Sequence, residues 1–259
     1  MPMIDADGCP IYVEVTGRDD APALMLSNSL GTDLHMWDDQ APEFAKHFRL
    51  VRYDRRGHGK SGTTKGPYNF ALFGRDILKI MDALKIKRMN LCGLSMGGMD
   101  GQWIGAHAAD RVDKLILSNT NYYYADKAPW ADRIKFVREN GVAQLVGPNM
   151  ERWFTKGFRD RAPQAIARMA EMFLASNLDG YIACVEAVRD MDFRESNPRI
   201  TTPTLVIVGK QDPATPPAAG EAIAKAIKGA KLVALDAAHI SNVEQPKAFT
   251  DAVLNFLLN

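Results

Sequence analysis

The chain has 259 residues, 46% of them hydrophobic and 24% charged, which is long and apolar enough for one large α/β domain with room for an inserted segment. Its net charge of +1, with no basic stripe and no acidic tail, argues against nucleic acid as a partner. No apolar run approaches the length of a membrane span, and residues 1–14 lack the basic start and apolar block of a signal peptide.

These features predict a cytoplasmic protein that binds neither a membrane nor nucleic acid. The three cysteines, Cys9, Cys92 and Cys184, are far apart and odd in number. The sequence therefore predicts neither a disulfide framework nor a metal cluster.

Apolar runs and helical patterns alternate along most of the chain. Runs typical of strands fall at residues 11–15, 23–27, 49–53, 89–92, 112–118, 204–208 and 231–235, and helical patterns at 36–48, 69–84, 99–109, 217–227 and 246–258. Residues 121–198 interrupt the alternation, because they contain helical patches but no clear strand. We therefore expect a mostly parallel sheet with helices on both faces, formed by residues 1–120 and 199–259, and a helical cap inserted at 121–198.

The glycine-rich residues 54–62 match parts of two nucleotide-binding motifs. Gly57, Gly59 and Gly62 have the G-x-G-x-x-G spacing of a dinucleotide fingerprint, but residues 63–67 continue the loop where that fingerprint would open a helix. A phosphate loop would need a glycine at the position of Asp54. We therefore expect no nucleotide cofactor.

Residues 93–97 carry the pattern G-x-S-x-G, which is typical of a nucleophile elbow. A predicted strand precedes them and a predicted helix follows Gly98, so the pattern lies in the strand–turn–helix setting that an elbow requires. A turn this sharp crowds the backbone, and Gly93 and Gly97 leave space that a side chain would fill. We interpret Ser95 as the catalytic nucleophile.

A serine hydroxyl is a weak nucleophile at neutral pH and needs an adjacent base, which an acid in turn orients. Among the five histidines, His239 follows the last predicted strand, at the end of a parallel strand where functional residues gather. Asp212 follows the strand before it and is the preferred acid, with Asp236 as its rival. The chain order Ser95, Asp212, His239 is the one expected of α/β-hydrolases.

An oxyanion hole would complete this chemistry. One donor is the backbone N–H of Met96, directly after the nucleophile, and the second is expected from the loop after the strand at residues 23–27. An alignment of the strand ends favours Ser29 as the second donor, with Leu30 as the alternative.

Nearly the whole chain resembles the α/β-hydrolases, in which residues 54–61 match the family's D-x-R-G-x-G-x-S loop. A narrower similarity is to the β-ketoadipate enol-lactone hydrolases, also called 3-oxoadipate enol-lactonases. That similarity is carried by residues 27–33, 36–37, 151–155, 180–181 and 190–192.

The resemblance implies that water opens an enol-lactone to 3-oxoadipate through an acyl-enzyme. Ser95 would attack the lactone carbonyl, His239 would take its proton, and Asp212 would hold the imidazole. It also implies that neither a metal nor an organic cofactor is required.

The implied substrate carries a free carboxylate, so a cation or hydrogen-bond donor is expected near the pocket. Trp130 and Arg133 of the predicted cap are the candidates, with Trp153 behind them. The alternative is that the tryptophans pack the cap against the sheet and that Arg133 is solvated.

Three other functions are compatible with the same residues. A general carboxylesterase uses this triad on simple esters, and a cofactor-free perhydrolase shares the fold and the triad. A non-enzymatic receptor on a hydrolase fold would bind a ligand without turnover. A dehalogenase is disfavoured, because the nucleophile position holds Ser95 and not an aspartate. We expect a small-molecule ester or lactone as the partner.

Overall fold

A computed structural model describes residues 3–259, which are organised around one sheet of eight strands. The strands are β1 (Met3–Ala6), β2 (Cys9–Thr16), β3 (Ala23–Ser27), β4 (Arg49–Tyr53), β5 (Met89–Leu94), β6 (Val112–Ser118), β7 (Thr204–Gly209) and β8 (Lys231–Leu235). They lie in the order β1-β2-β4-β3-β5-β6-β7-β8, and every pairing from β4 to β8 is parallel. Strand β2 pairs antiparallel with both its neighbours. The predicted mostly parallel sheet is confirmed.

The helices are α1 (Ala41–His47), α2 (Phe70–Ala83), α3 (Met96–His107), α4 (Ala128–Asn140), α5 (Val146–Trp153), α6 (Lys156–Arg161), α7 (Pro163–Leu174), α8 (Leu178–Asp190), α9 (Pro217–Ala226), α10 (Ser241–Glu244) and α11 (Pro246–Leu258). Helix α2 begins after Asn69, whose Oδ1 accepts from Leu72 N at 2.9 Å and satisfies one of the free amides of the first turn. Among the helices within residues 3–259, none has the length and apolar character needed to cross a membrane.

Successive strand residues contribute to two hydrophobic clusters, one on each face of the sheet. In β3, Leu24 and Leu26 belong to the cluster that contains Phe249 of α11, whereas Met25 belongs to the cluster that contains Ile77 of α2. Because side chains alternate between the faces of a strand, this division means that helices cover both faces. All five residues of β3 are buried, as its apolar run predicts.

The segment between β6 and β7, residues 119–203, contains α4 to α8 and no strand of the sheet, although Tyr123 and Asp192 form one isolated bridge. The cap is therefore helical, as expected. Trp153 of this segment lies in the same hydrophobic cluster as Leu26 of β3, so the inserted helices and the sheet share one core. The division of the chain at residues 120 and 199 stays a prediction.

Two short elements were not predicted from the sequence. Strand β1 pairs with β2 through a turn at Asp7 and Gly8, whose φ angles are both positive, at 50° and 80°. Asp-Gly is a strong hairpin signal, but a strand of four residues that exposes Met3 and Asp5 has too weak an apolar pattern to stand out. Helix α10 is a single turn directly after the loop that carries His239.

Candidate active site

Ser95 stands at the junction of β5 and α3. Its φ of 58° and ψ of −113° are costly for a residue with a side chain, and they turn the strand directly into the helix. The turn requires glycine at positions 93 and 97, which have no Cβ. A Cβ at Gly93 would lie 2.0 Å from Gly97 O, and a Cβ at Gly97 would lie 2.1 Å from Ser27 O. Helix α3 therefore begins at Met96, immediately after the serine, and not at residue 99 as the sequence predicted.

Three buried side chains at the carboxyl ends of β5, β7 and β8 form a hydrogen-bonded row. Ser95 Oγ lies 2.9 Å from His239 Nε2, and His239 Nδ1 lies 2.8 Å from Asp212 Oδ2. Because a carboxylate only accepts, Nδ1 carries the proton and donates to Asp212, which leaves Nε2 to accept from the Ser95 hydroxyl. The structure brings together the three residues selected from the sequence.

Asp212 is held as a carboxylate. Burial works against its charge, but the positive charge that His239 can carry, together with hydrogen bonds from His239, Thr215 and Asn119, lowers the pKa of the carboxyl below its ordinary value. Thr215 N lies 2.9 Å from Oδ1, and Asn119 Nδ2 lies 3.0 Å from Oδ2. The rival acid, Asp236, is exposed and accepts from a neighbouring glutamine. The carboxylate bonded to His239 is therefore that of Asp212.

The loop that carries His239 is bonded directly to the inserted helices. Ile240 N donates to Trp153 O at 3.0 Å, and the amide before His239 donates to Glu244 Oε2 at 3.0 Å. Glu244 also accepts from the backbone amide and the hydroxyl of Thr155. The residues on both sides of His239 are thus fixed to the end of α5 and the start of α6.

Two backbone amides close to Ser95, those of Met96 and Leu30, have no hydrogen-bond acceptor within residues 3–259. Leu30 lines the same cavity as Ser95. Ser29, the residue preferred from the sequence, directs its amide hydrogen to Met36 Sδ, 3.3 Å away. An amide engaged in this way is not available to a substrate oxygen, so the geometry favours Leu30, the alternative, over Ser29.

A cavity of about 50 Å³ lies over Ser95 and His239. It is lined by Ser29, Leu30, Ser95, Trp130, Arg133, Asn149, Arg152, Trp153, Ala214 and His239. The three cap residues selected from the sequence, Trp130, Arg133 and Trp153, therefore share a cavity with the serine. A second cavity of about 220 Å³ has Trp130, Arg133, Arg152 and Ala214 in common with the first and is lined in addition by Tyr124, Asp126 and Pro129.

Two arginines give the cavity over Ser95 a surplus of positive charge. Neutral groups hold Arg133, whose Nε donates to Tyr181 Oη at 2.7 Å and whose Nη2 donates to Asn149 Oδ1 at 2.9 Å. Burial, and then the charge of Arg133, lower the pKa of Arg152. In the described part of the chain neither arginine forms an ion pair with a carboxylate. An anion bound beside them would relieve their mutual repulsion.

Among the polar residues that line this cavity, the sequence analysis missed two, Asn149 and Arg152. Asn149 Nδ2 is buried and has no hydrogen-bond partner among residues 3–259, while the Oδ1 of the same side chain accepts from Arg133. Asn149, Arg152 and Trp153 are at positions i, i+3 and i+4 of α5 and share one face of that helix. The helical spacing around Trp153 is the signal that could have identified both.

Comparison with known proteins matches residues 22–246 to the alpha/beta hydrolase fold family, and several relatives cover nearly the whole chain. The chain is 40% identical over 237 residues to 3-oxoadipate enol-lactonase 2 of Acinetobacter baylyi. The aligned region covers 92% of this chain and 89% of that protein. The crystal structure of the enol-lactonase from Burkholderia xenovorans LB400 has a TM-score of 0.96 at 42% identity and covers 98% of both chains. A malate-bound thermophilic esterase from Thermogutta terrifontis has a TM-score of 0.92 at 26% identity, over 99% of this chain and 97% of that one.

These similarities confirm the resemblance drawn from residues 27–33 and 54–61, and with it the predicted fold and the prediction of an enzyme. They extend across the sheet and the inserted helices alike, since the matched lengths leave few residues uncovered. The chain is a hydrolase, and it belongs to the alpha/beta hydrolase fold family.

Proposed function

We propose that this hydrolase opens 3-oxoadipate enol-lactone to 3-oxoadipate by way of an acyl-enzyme on Ser95. The observation that carries the proposal is the row Ser95–His239–Asp212, in which Ser95 and His239 line the same cavity as Arg133 and Arg152. Neither arginine has a carboxylate partner in residues 3–259. Relatives at 40% and 42% identity are named enol-lactonases, which supports this choice of substrate.

In the first half-reaction Ser95 Oγ attacks the lactone carbonyl while its proton passes to His239 Nε2, 2.9 Å away. The carbonyl oxygen becomes negative and accepts hydrogen bonds from the amides of Leu30 and Met96. Asp212 stabilises the imidazolium and keeps Nδ1 protonated. Collapse of the intermediate breaks the bond to the ring oxygen, which leaves as an enolate and takes the proton from His239. The enol then becomes a ketone.

Deacylation repeats the same steps with water. A water molecule gives a proton to His239 and attacks the ester carbonyl, and Ser95 leaves with that proton. Because the leaving group of a lactone stays attached through the carbon chain, one molecule occupies the cavity throughout. The product is a dicarboxylate with a ketone between its ends.

The carboxylate that the substrate already carries matches the two arginines. Guanidinium groups bind carboxylates through paired, charge-assisted hydrogen bonds. Arg133 is already held by Tyr181 and Asn149, so its side chain loses little freedom when an anion binds. A neutral ester would leave the cations of Arg133 and Arg152 unpaired. In this proposal the cap, residues 121–198, recognises the substrate carboxylate and the rest of the chain performs the chemistry.

The test is steady-state turnover of the enol-lactone beside p-nitrophenyl acetate, with Ser95→Ala as the control. We expect a higher kcat/KM for the lactone and the loss of both activities in Ser95→Ala. Good turnover of the acetate with little turnover of the lactone would overturn the proposed substrate and leave a general carboxylesterase. Equal activity of Ser95→Ala and the wild type would overturn the proposed nucleophile.

A further inference from the structure

The loop after β3 contains one free backbone amide between two bonded ones. Ser29 N donates to Met36 Sδ at 3.3 Å, and Gly31 N donates to His58 Nε2 at 2.9 Å. Leu30 N, which lies between them in the chain, has no acceptor within residues 3–259. Leu30 lines the cavity over Ser95, so in the proposed mechanism this amide is the donor of the loop. Its direction depends on the peptide plane to which it belongs.

Thr32 fixes that peptide plane from its opposite side. The bond between Ser29 and Leu30 is trans, so the Ser29 carbonyl and the Leu30 N–H point in opposite directions. Ser29 O accepts two hydrogen bonds from Thr32, one from its backbone N at 3.3 Å and one from its Oγ1 at 2.9 Å. Since the carbonyl is held toward Thr32, the Leu30 N–H is held away from it.

The hydroxyl makes the shorter of the two bonds from Thr32. The residue is 1% exposed, so water does not compete for Ser29 O. Met36 Sδ also lies 3.0 Å from Oγ1, but the hydroxyl has a single hydrogen and a thioether is the weaker acceptor. Without the hydroxyl, the Ser29 carbonyl would keep only the bond of 3.3 Å.

We propose that Thr32 is a positioning residue for the oxyanion hole, since its hydroxyl orients the Leu30 amide through the Ser29 carbonyl. The inference rests on the proposed function, because it requires that Ser95 attack a carbonyl whose oxygen meets Leu30 N. A donor that is oriented before the substrate arrives stabilises the charge of the transition state without reorganisation. Loss of that orientation lowers kcat and leaves KM nearly unchanged.

The test compares Thr32→Val, which keeps the shape of the side chain without its hydroxyl, with Thr32→Ser, which keeps the hydroxyl. Complete removal of an oxyanion donor costs about 10²–10³ in kcat, and we expect the loosened donor of Thr32→Val to cost about tenfold. We expect KM to change by less than about twofold and Thr32→Ser to retain kcat within about threefold.

An alkylboronic acid gives a second readout that does not depend on turnover. Its boron accepts a lone pair of Ser95 Oγ while the hydroxyl proton passes to His239, and the resulting tetrahedral boronate anion places one of its hydroxyl oxygens in the oxyanion hole. Because this adduct mimics the transition state, we expect Thr32→Val to weaken inhibition by about the same factor as it lowers kcat.

Unchanged kcat and unchanged inhibition in Thr32→Val would overturn the inference. A lower kcat with unchanged inhibition would also overturn it, because the damage would then lie outside the oxyanion hole. If the wild type turns over neither the ester nor the lactone and is not inhibited by the boronic acid, the proposed function is overturned, and the inference with it. If Thr32→Val does not fold in a thermal scan, Thr32→Cys replaces it as a weaker donor, with an expected loss of about threefold in both readouts.

Discussion

The two regions that meet over Ser95 hold their side chains in different ways. The hydrogen-bonded row stands at the carboxyl ends of three parallel strands, and backbone hydrogen bonds of the loops that follow these strands hold its members in place. Arg133, on α4, is instead held by side-chain hydrogen bonds to Tyr181 and Asn149. Arg152, on α5, makes no hydrogen bond with any described residue. The groups at the strand ends are thus placed by the backbone, whereas the arginines of the inserted helices are placed by side-chain contacts or by none.

In the proposed function, the strand ends carry out the reaction and the inserted helices recognise the substrate carboxylate. A change at the strand ends should lower kcat for every ester, because each one needs the same nucleophile and base. A change on α4 or α5 should alter the preference between charged and neutral esters while the reaction on neutral esters continues. The following predictions test that separation.

The largest effect is expected at the sheet. Asp212→Asn keeps the size of the side chain but removes the carboxylate that holds His239 Nδ1 protonated, and we expect kcat to fall by about 10⁴ on both lactone and acetate. The measurement is kcat for both substrates. Asp236→Asn is the matched control and should stay at the wild-type rate. Equal losses in the two variants would show that Asp212 has no special part in the reaction.

A smaller and selective effect is expected at the inserted helices. Arg152→Met removes a cation but keeps much of the side chain, and the loss of a charge-assisted hydrogen bond should raise KM for the lactone by about 10- to 100-fold. Turnover of p-nitrophenyl acetate should be nearly unchanged. Arg138→Met, on the exposed side of α4, is the control. A loss of equal size on both substrates would contradict a role in recognition.

His58 lies where the two regions meet and gives a test by pH. Its Nε2 accepts from Gly31 N, and its ring is 6.5 Å from that of Tyr181 on α8, with Cys184 Sγ 4.0 Å from Nδ1. Burial, and then the charge of Arg55, lower the pKa of His58 to about 3. The unfolded chain therefore takes up a proton below about pH 6.5 that the folded chain does not, and stability is lost as the pH falls.

We expect the free energy of unfolding to fall by up to about 1.4 kcal/mol per pH unit from this group alone between about pH 6.5 and pH 4. Denaturant unfolding of His58→Gln should show a shallower dependence on pH than the wild type. His47→Gln, at an exposed position of α1, should follow the wild type. Parallel curves for His58→Gln and the wild type would mean that His58 is not kept neutral by the fold.

Local patterns were sufficient to predict the sheet and the row at its edge. Apolar runs located the strands within two residues, and the ends of parallel strands meet at one edge wherever the strands are correctly placed. Ser95, Asp212 and His239 could therefore be selected without tertiary contacts. Strand β1 was not predicted, because it has only four residues, two of them exposed, and so short a segment shows little hydrophobic periodicity.

The remaining features depend on contacts between distant residues. Arg133 contacts Tyr181, 48 positions along the chain, and no local pattern encodes that hydrogen bond. The choice between Ser29 and Leu30 depends on which amide hydrogen Met36 Sδ receives, and aligned strand ends carry no information about it. Helical spacing from Trp153 could have predicted that Arg152 lies near the cavity. That Arg152 has no ion-pair partner in the described residues could be seen only in the folded chain.

The bonds that join the His239 loop to the inserted helices restrict how a substrate enters. Because Ile240 N is bonded to Trp153 O and Glu244 to Thr155, the loop that carries His239 is attached to the end of α5 and the start of α6. A movement that lifted α5 from the sheet would take His239 away from Ser95. A substrate that entered through the adjoining cavity of about 220 Å³ beside Trp130 would leave these bonds and the row intact.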